Sequence, residues 1–484
     1  MSDQEKTSEH SAEKGVFHAP WEQSFGRILT PFEEFVHRQT TSGLLLMATA
    51  VLALVLANSA LAGVYQNLLL MPAGIGIGEW RLEKTLHHWV NDGLMVLFFF
   101  VVGLELKREM LVGELAVPRQ AVLPIVAALG GMVVPALIYL AINPDGETAR
   151  GWGIPMATDI AFAIGALVLL ANRVPKALIT FLVALAIVDD LGAVVVIALF
   201  YTDQIVLEAL LAAAGVLGVL VALNLVGIRQ PLPYFLLGTL LWFALLKSGV
   251  HATLAGILTA FTIPARPKYD PARFSGQVKE LMARFDASHR PGRSIMTNDA
   301  LRAVVQALED GVHKVETPLQ RLEHGMHMPV AFLVIPVFAF FNAGIPMDLA
   351  RMGETLVHPV TLGVVSGLVA GKFLGIAVSS WLALKLGLAQ LPAQTRFSQI
   401  VGVALLAGIG FTMSIFIAEL GFAGQPEYLL MAKTGVLVAS VLAGVSGYGW
   451  LWWVSQREIG DKREIGDRPK REIGEIGDRP RFTQ

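Results

Sequence analysis

The chain has 484 residues, 54% of them hydrophobic and only 16% charged, with a net charge of −2. A soluble domain carries about 25% charged residues, so the composition points to a polytopic membrane protein, and the near-neutral charge gives no footing for nucleic acid. No cysteine is present, which excludes disulfides, thiol catalysis and thiolate metal sites.

Residues 1–25 are polar and read as disordered. The first 40 residues hold no apolar stretch of the kind a cleavable signal needs, so the first membrane helix is expected to serve as its own insertion signal. "ILTPFEEFVHRQ" reads as a short amphipathic helix on the membrane surface. Thr30 is its N-cap, Pro31 suits the first helical position, and Phe32, Phe35 and Val36 share one face. Apolar runs long enough to cross a bilayer then recur. We expect twelve spans, at 43–62, 88–106, 121–142, 153–171, 178–201, 205–225, 232–246, 248–263, 329–346, 361–384, 398–420 and 430–454.

Between the first two spans, "MPAGIGIGEWRLEKTL" alternates apolar residues with glycine, then apolar with polar. The pattern fits a small extracytoplasmic β-hairpin or a flexible loop. The 264–328 loop carries ten Lys and Arg residues, from Arg266 to Arg321, and the tail after 455 is basic as well. The positive-inside rule therefore puts both termini in the cytoplasm. The expected organisation is a cytoplasmic segment with its amphipathic helix over 1–40, a transmembrane domain over 41–455 containing that long cytoplasmic loop, and a disordered tail of charged pentapeptide repeats over 456–484.

Four charges fall at mid-membrane. Asp189 and Asp190 sit side by side in "ALAIVDDLGAVVVIALF", Asp159 in "GWGIPMATDIAFAIG", and Lys372 in "VVSGLVAGKFLGIAVSS". The aspartate pair lies about 16 Å from either end of its span. Four unpaired charges at that depth would cost on the order of 10–14 kcal/mol on insertion scales. A structural salt bridge accounts for one carboxylate and the lysine. Two carboxylates remain in surplus, and such a surplus attracts a cation or binds protons. Two segments also carry glycine interruptions followed by threonine: Gly151, Gly153 and Pro155 before Thr158, and Gly408 and Gly410 before Thr412. Glycines in membrane helices serve close packing. Paired interruptions in corresponding three-helix units also point to a transporter site built of broken helices.

At these residues the chain resembles the NhaA-type sodium/proton antiporters. The resemblance rests on "WVNDGLMVLFFFVVGLELKREM", "GWGIPMATDIAFAIG", "ALAIVDDLGAVVVIALFY", "SGVHATLAGI", "RLEHGMHMPVAFLVIPVFAFFNAGI", "GKFLGIA" and "GIGFTMSIFIAEL", in the family's order over about residues 40–455. It implies an all-α polytopic fold of about twelve transmembrane helices, with an inverted-topology repeat and two unwound helices crossing at mid-membrane. It implies electrogenic exchange of sodium or lithium for about two protons, driven by the membrane potential, in a bacterial inner membrane and without a cofactor. Asp190 would be the principal sodium ligand. Asp189 would be the other carrier carboxylate, paired with Lys372. Thr158 and Asp159 would sit at the helix break, with Asp159 and Lys372 compensating charge. Glu105, Arg108, Glu109, Glu323, His327 and His251 match positions of the pH response. On chemistry alone, these histidines and His324 are equally well capping or loop residues. The 72–85 hairpin matches the family's dimerisation element. The loop at 264–320 is longer than the family pattern, and the repeat tail is additional.

Two other classes fit the sequence less well. An intramembrane aspartyl protease could use Asp159 and Asp189, but the Gly-x-Gly-Asp context is missing and Lys372 would have no role. A sodium-coupled solute symporter would need an organic-substrate pocket, and the charges are already accounted for by ions.

Overall fold

The computed structural model describes residues 31–77, 80–171, 173–202, 205–266, 271–288, 298–347 and 350–466. The 1–25 stretch and the end of the repeat tail lie outside them. The helices are α1 (Pro31–Ala57), α2 (Ala62–Leu70), α3 (Leu86–Val112) and α4 (Pro118–Ile142). A 3₁₀ segment, Glu147–Met156, precedes α5 (Ile160–Val168), α6 (Lys176–Phe200), α7 (Leu207–Val226), α8 (Pro231–Ser248) and α9 (Leu254–Thr262). There follow α10 (Pro271–Ser288), α11 (Asp299–Val315), α12 (Pro318–Asn342), α13 (Met352–Val357) and α14 (Pro359–Lys385). The chain ends with α15 (Phe397–Leu406), α16 (Phe411–Gly421) and α17 (Pro426–Gly466). The one sheet among the described residues is the expected hairpin. β1 (Pro72–Ile77) pairs antiparallel with β2 (Trp80–Thr85), with Pro72 opposite Thr85 and Ile77 opposite Trp80.

The molecule is inside-out by the standards of a soluble protein. Leu211 and Val445 are 63% and 70% exposed, whereas Asp159, Asp189, Asp190 and Lys372 are at 2% or less. Outward apolar side chains are stable when the surrounding solvent is hydrocarbon, and the backbone then pairs internally as helix. Among the described residues nine helices are long and apolar enough to cross a bilayer. The α1/α2 and α15/α16 pairs, bent by 110° and 47°, raise the number to at most eleven.

The sequence expectation needs four amendments. The eighth expected span, 248–263, is reduced to the nine-residue α9 behind a turn, about 14 Å of helix and too short to cross alone. The surface helix expected at 31–40 is backbone-continuous with the first span in α1. The long loop contains two helices, α10 and α11, packed on each other, and it closes earlier than expected. Thr317 caps α12 by accepting from the Gln320 N–H at 3.1 Å, in a capping box. Finally, α17 continues to Gly466, past the expected end of the membrane domain.

Glycine sets the closest helix crossing. A Cβ on Gly375 of α14 would lie 2.1 Å from the carbonyl oxygen of Gly130 on α4, and one on Gly371 would lie 2.7 Å from Pro135 Cα. Both obstacles are backbone, so neither can rotate away. Gly375→Val should therefore destabilise the protein by at least about 1–3 kcal/mol through overpacking, seen as a lower melting temperature in detergent. An unchanged melting temperature would mean that α4 and α14 are free to separate.

Candidate functional site

The site lies where two interrupted spans meet. Pro155 lacks an N–H and closes the 3₁₀ segment; residues 157–159 are non-helical before α5 begins. On the other span α15 stops at Leu406, and α16 resumes at Phe411 after Gly408 and Gly410. Each break supplies the other's missing hydrogen bonds. The Asp159 N–H donates to the Ile409 carbonyl at 2.7 Å, and the Thr158 hydroxyl donates to the Ala407 carbonyl at 2.9 Å. The Ser414 hydroxyl donates to the Ile154 carbonyl at 2.8 Å. Non-helical backbone survives in this buried core because the neighbouring break satisfies it.

Asp159 caps two helices at once. Its Oδ1 accepts from the Phe162 N–H at 3.1 Å, at the start of α5. Its Oδ2 accepts from the Thr412 N–H at 2.9 Å and from the Thr412 hydroxyl, at the start of α16. A carboxylate at two helix N-termini faces two positive dipole ends. That accounts for its charge without a bound ion.

α6 carries the aspartate pair into the same core. Lys372 lies directly after a π-helical turn of α14, Gly367–Gly371, between the glycines that press α14 onto α4. Its Nζ pairs with Asp189 Oδ2, and both side chains are fully buried. Lys372 therefore balances Asp189. Asp190 is 1% exposed. Neither of its carboxylate oxygens has a hydrogen-bond partner, nor does Asp189 Oδ1. The charged neighbours of Asp190 are Asp189, Asp159, Lys372 and Glu105. Thr158 neighbours Asp189. Three unpartnered carboxylate oxygens, buried together, form a donor set suited to a hard cation or a proton.

Five of the six expected pH-response residues gather at the far end of α3. Arg108 pairs with Glu109 at 2.9 Å and with Glu323 of α12 at 3.0 Å. Glu105 and His327 line a cavity of about 70 Å³ that also touches Ile160 and Ala161, the residues after Asp159. The sixth, His251, stands apart on the turn before α9. Its Nδ1 lies 2.8 Å from the Thr253 hydroxyl and its ring packs edge-on against Phe416.

A polar group that the sequence reading passed over joins four spans. Glu419 of α16 lies between Lys433 of α17 and His87 of α3, with Asn342 and Asn91 beside them. The signal available was Glu419 itself, a carboxylate in "SIFIAELGF".

The family model described as Na+/H+ antiporter 1 matches residues 33–451. The chain belongs to the NhaA family of Na+/H+ antiporters. It is 59% identical over 446 residues to the Na+/H+ antiporter NhaA 1 of Saccharophagus degradans, covering 92% of this chain and 95% of that one. It is 52% identical to the NhaA antiporter of Sulfurimonas denitrificans, over 91% of this chain and 99% of that one, and 52% identical to that of Syntrophobacter fumaroxidans, over 90% and 93%. Membership makes the chain a multi-pass secondary transporter and not an enzyme, and the protease reading is set aside.

Proposed function

We propose that this chain is an electrogenic antiporter that expels sodium, or lithium, in exchange for protons at the Asp189–Asp190 pair. The observation that carries this reading is Asp190: a fully buried carboxylate with both oxygens unpartnered, next to a carboxylate already held by a lysine. Sodium needs ionised hard-oxygen ligands, and a protonated carboxylate supplies poor ones. The sodium-loaded and proton-loaded states therefore exclude each other at one site. Asp190 is the principal ligand, with Asp189 Oδ1 and the lone pairs of the Thr158 hydroxyl completing the set. Asp159 keeps the crossing neutral, and Lys372 balances Asp189 while the site is empty. If Lys372 or Asp189 exchanges a proton as well as Asp190, two protons move per sodium. The cycle then carries net charge, worth about 2.3 kcal/mol per 100 mV.

The two interrupted spans, each with its threonine after the break, are the pattern of an inverted-topology repeat whose halves rock about the site. The group of Glu105, Arg108, Glu109, Glu323 and His327 forms the cytoplasmic mouth and its pH response. The hairpin joins two copies in a dimer. No cofactor takes part, and the protein works in the bacterial inner membrane with both termini cytoplasmic.

Proteoliposomes loaded with a pH-sensitive dye test the exchange: adding sodium alone should move protons the opposite way, with no organic solute present. A response that needs a solute would favour a symporter. Orientation has its own test in this cysteine-free chain. Ser275→Cys, on α10, should resist membrane-impermeant thiol reagents in intact cells and react after lysis. Ready labelling in intact cells would invert the topology.

A further inference from the structure

We propose that His87, Glu419 and Lys433 form a proton-operated latch on the hairpin side of the molecule. In this account the latch clamps α16 between α3 and α17 and slows exchange when that side is acid. The proposal rests on the antiport reading above.

α16 begins at the ion site and ends at the latch. Thr412 binds Asp159 at one end. Glu419 follows seven residues later, on the same face and about 10 Å along the helix. Glu419 and Lys433 are each 14% exposed and His87 is 19% exposed, so all three are close to water yet mostly enclosed. Lys433 neutralises Glu419. His87 is the variable member. Its Nε2 lies 3.0 Å from Asn342 Oδ1, 3.4 Å from Glu419 Oε1 and 3.4 Å from Asn91 Nδ2. Asn342 gives its amide N–H groups to Asn91 Oδ1 and the Phe338 carbonyl, so its Oδ1 faces His87 as an acceptor; a neutral ring therefore carries its hydrogen on Nε2, donates it to Asn342 and leaves Glu419 to Lys433. A protonated ring must donate at Nε2 and carries a second positive charge to the carboxylate. One proton thus adds a positive charge 3.4 Å from the carboxylate and turns the contact between α3 and α16 from a neutral one into an ion pair.

The other titratable groups around His87 are accounted for. The His88 ring stands edge-on to it, and its Nδ1 meets the Thr85 hydroxyl at 2.7 Å. Lys84 of β2 pairs with Asp92 at 2.8 Å. From α2, Tyr65 gives its hydroxyl to the Phe340 carbonyl. α12 contributes only the uncharged Asn342 here. The latch is also separate from the cluster around Arg108, which lies 21 residues, or about 30 Å, further along α3. The two titratable groups therefore sense opposite sides of the membrane.

The test uses full-length protein in vesicles, with the pH of the hairpin side varied from about 8.5 to about 6, across the histidine range, and the other side held fixed. Proton competition and driving force act on every variant alike, so the readout is each variant's sodium exchange rate divided by the wild-type rate at the same pH. For His87→Gln the ratio should be near unity at the alkaline end and rise by about fivefold or more at the acid end, as a coupling between sites requires. Glu419→Gln should give the same profile. His88→Gln should stay near unity throughout. A flat ratio for His87→Gln, whether at unity or at a uniformly lower level, overturns the latch while wild-type exchange in the same vesicles continues to support antiport. Should Glu419→Gln prove unstable, because it leaves Lys433 unpaired, His87→Gln carries the test alone.

Discussion

An Asp190→Asn variant will fold and insert yet show no sodium-dependent proton release. The amide is nearly isosteric but cannot ionise, so it removes the one carboxylate at the crossing whose oxygens are both uncommitted. Loss of a single charged interaction of about 1.5–3 kcal/mol corresponds to roughly 10–150-fold in affinity. In the proposed cycle Asp190 is also the proton carrier, so exchange should be lost altogether. Stability should move the other way. Removing a buried, uncompensated negative charge is neutral or stabilising, and the melting temperature in detergent should be unchanged or higher. A variant that keeps exchange with weakened sodium affinity would move the principal ligand elsewhere, to Asp189 first.

The second large effect is on folding. Lys372 and Asp189 are both fully buried and paired. Lys372→Ala leaves that carboxylate without a partner, which costs about 3–5 kcal/mol for a truly buried pair. The melting temperature should fall sharply. Adding Asp189→Asn removes the stranded charge and should restore a large part of the loss, whereas Asp189→Asn added to wild type should itself destabilise by stranding Lys372. Such a crossover marks a pair, because independent sites would simply add. A double variant as unstable as Lys372→Ala would mean that the lysine acts through packing against α4 alone.

The buried charged cluster was legible in the sequence because charge in a membrane is expensive. Asp159, Asp189, Asp190 and Lys372 stood out against apolar neighbours, and the pairing of Lys372 with Asp189 followed from the family resemblance. The glycine interruptions with their threonines marked the breaks, and the 72–85 alternation marked the hairpin. Other features escaped for physical reasons. Asp159 capping both α5 and α16 needs the two breaks to touch, a contact across 253 positions that no local pattern carries. Lys433 sits near a helix end, where a lysine ordinarily reaches the interface; only the fold brings it to Glu419. Apolar content alone made 248–263 look like a span, but Gly249 has a φ of +82° and ends α8 there. The helices of the long loop are amphipathic and charged, and a search for membrane spans passes over that pattern.

The central claim is that sodium and protons compete for one buried carboxylate pair. The most direct test is the apparent KM for sodium in proteoliposomes, measured at equal pH on both sides across the acid limb of the activity profile. Raising the pH ionises the pair and frees oxygen ligands, so KM should fall by about tenfold per pH unit for one competing proton, and more steeply for two. A KM that stays constant across that limb, while the maximal rate alone changes, would contradict competition at the site and leave pH acting only from a distance.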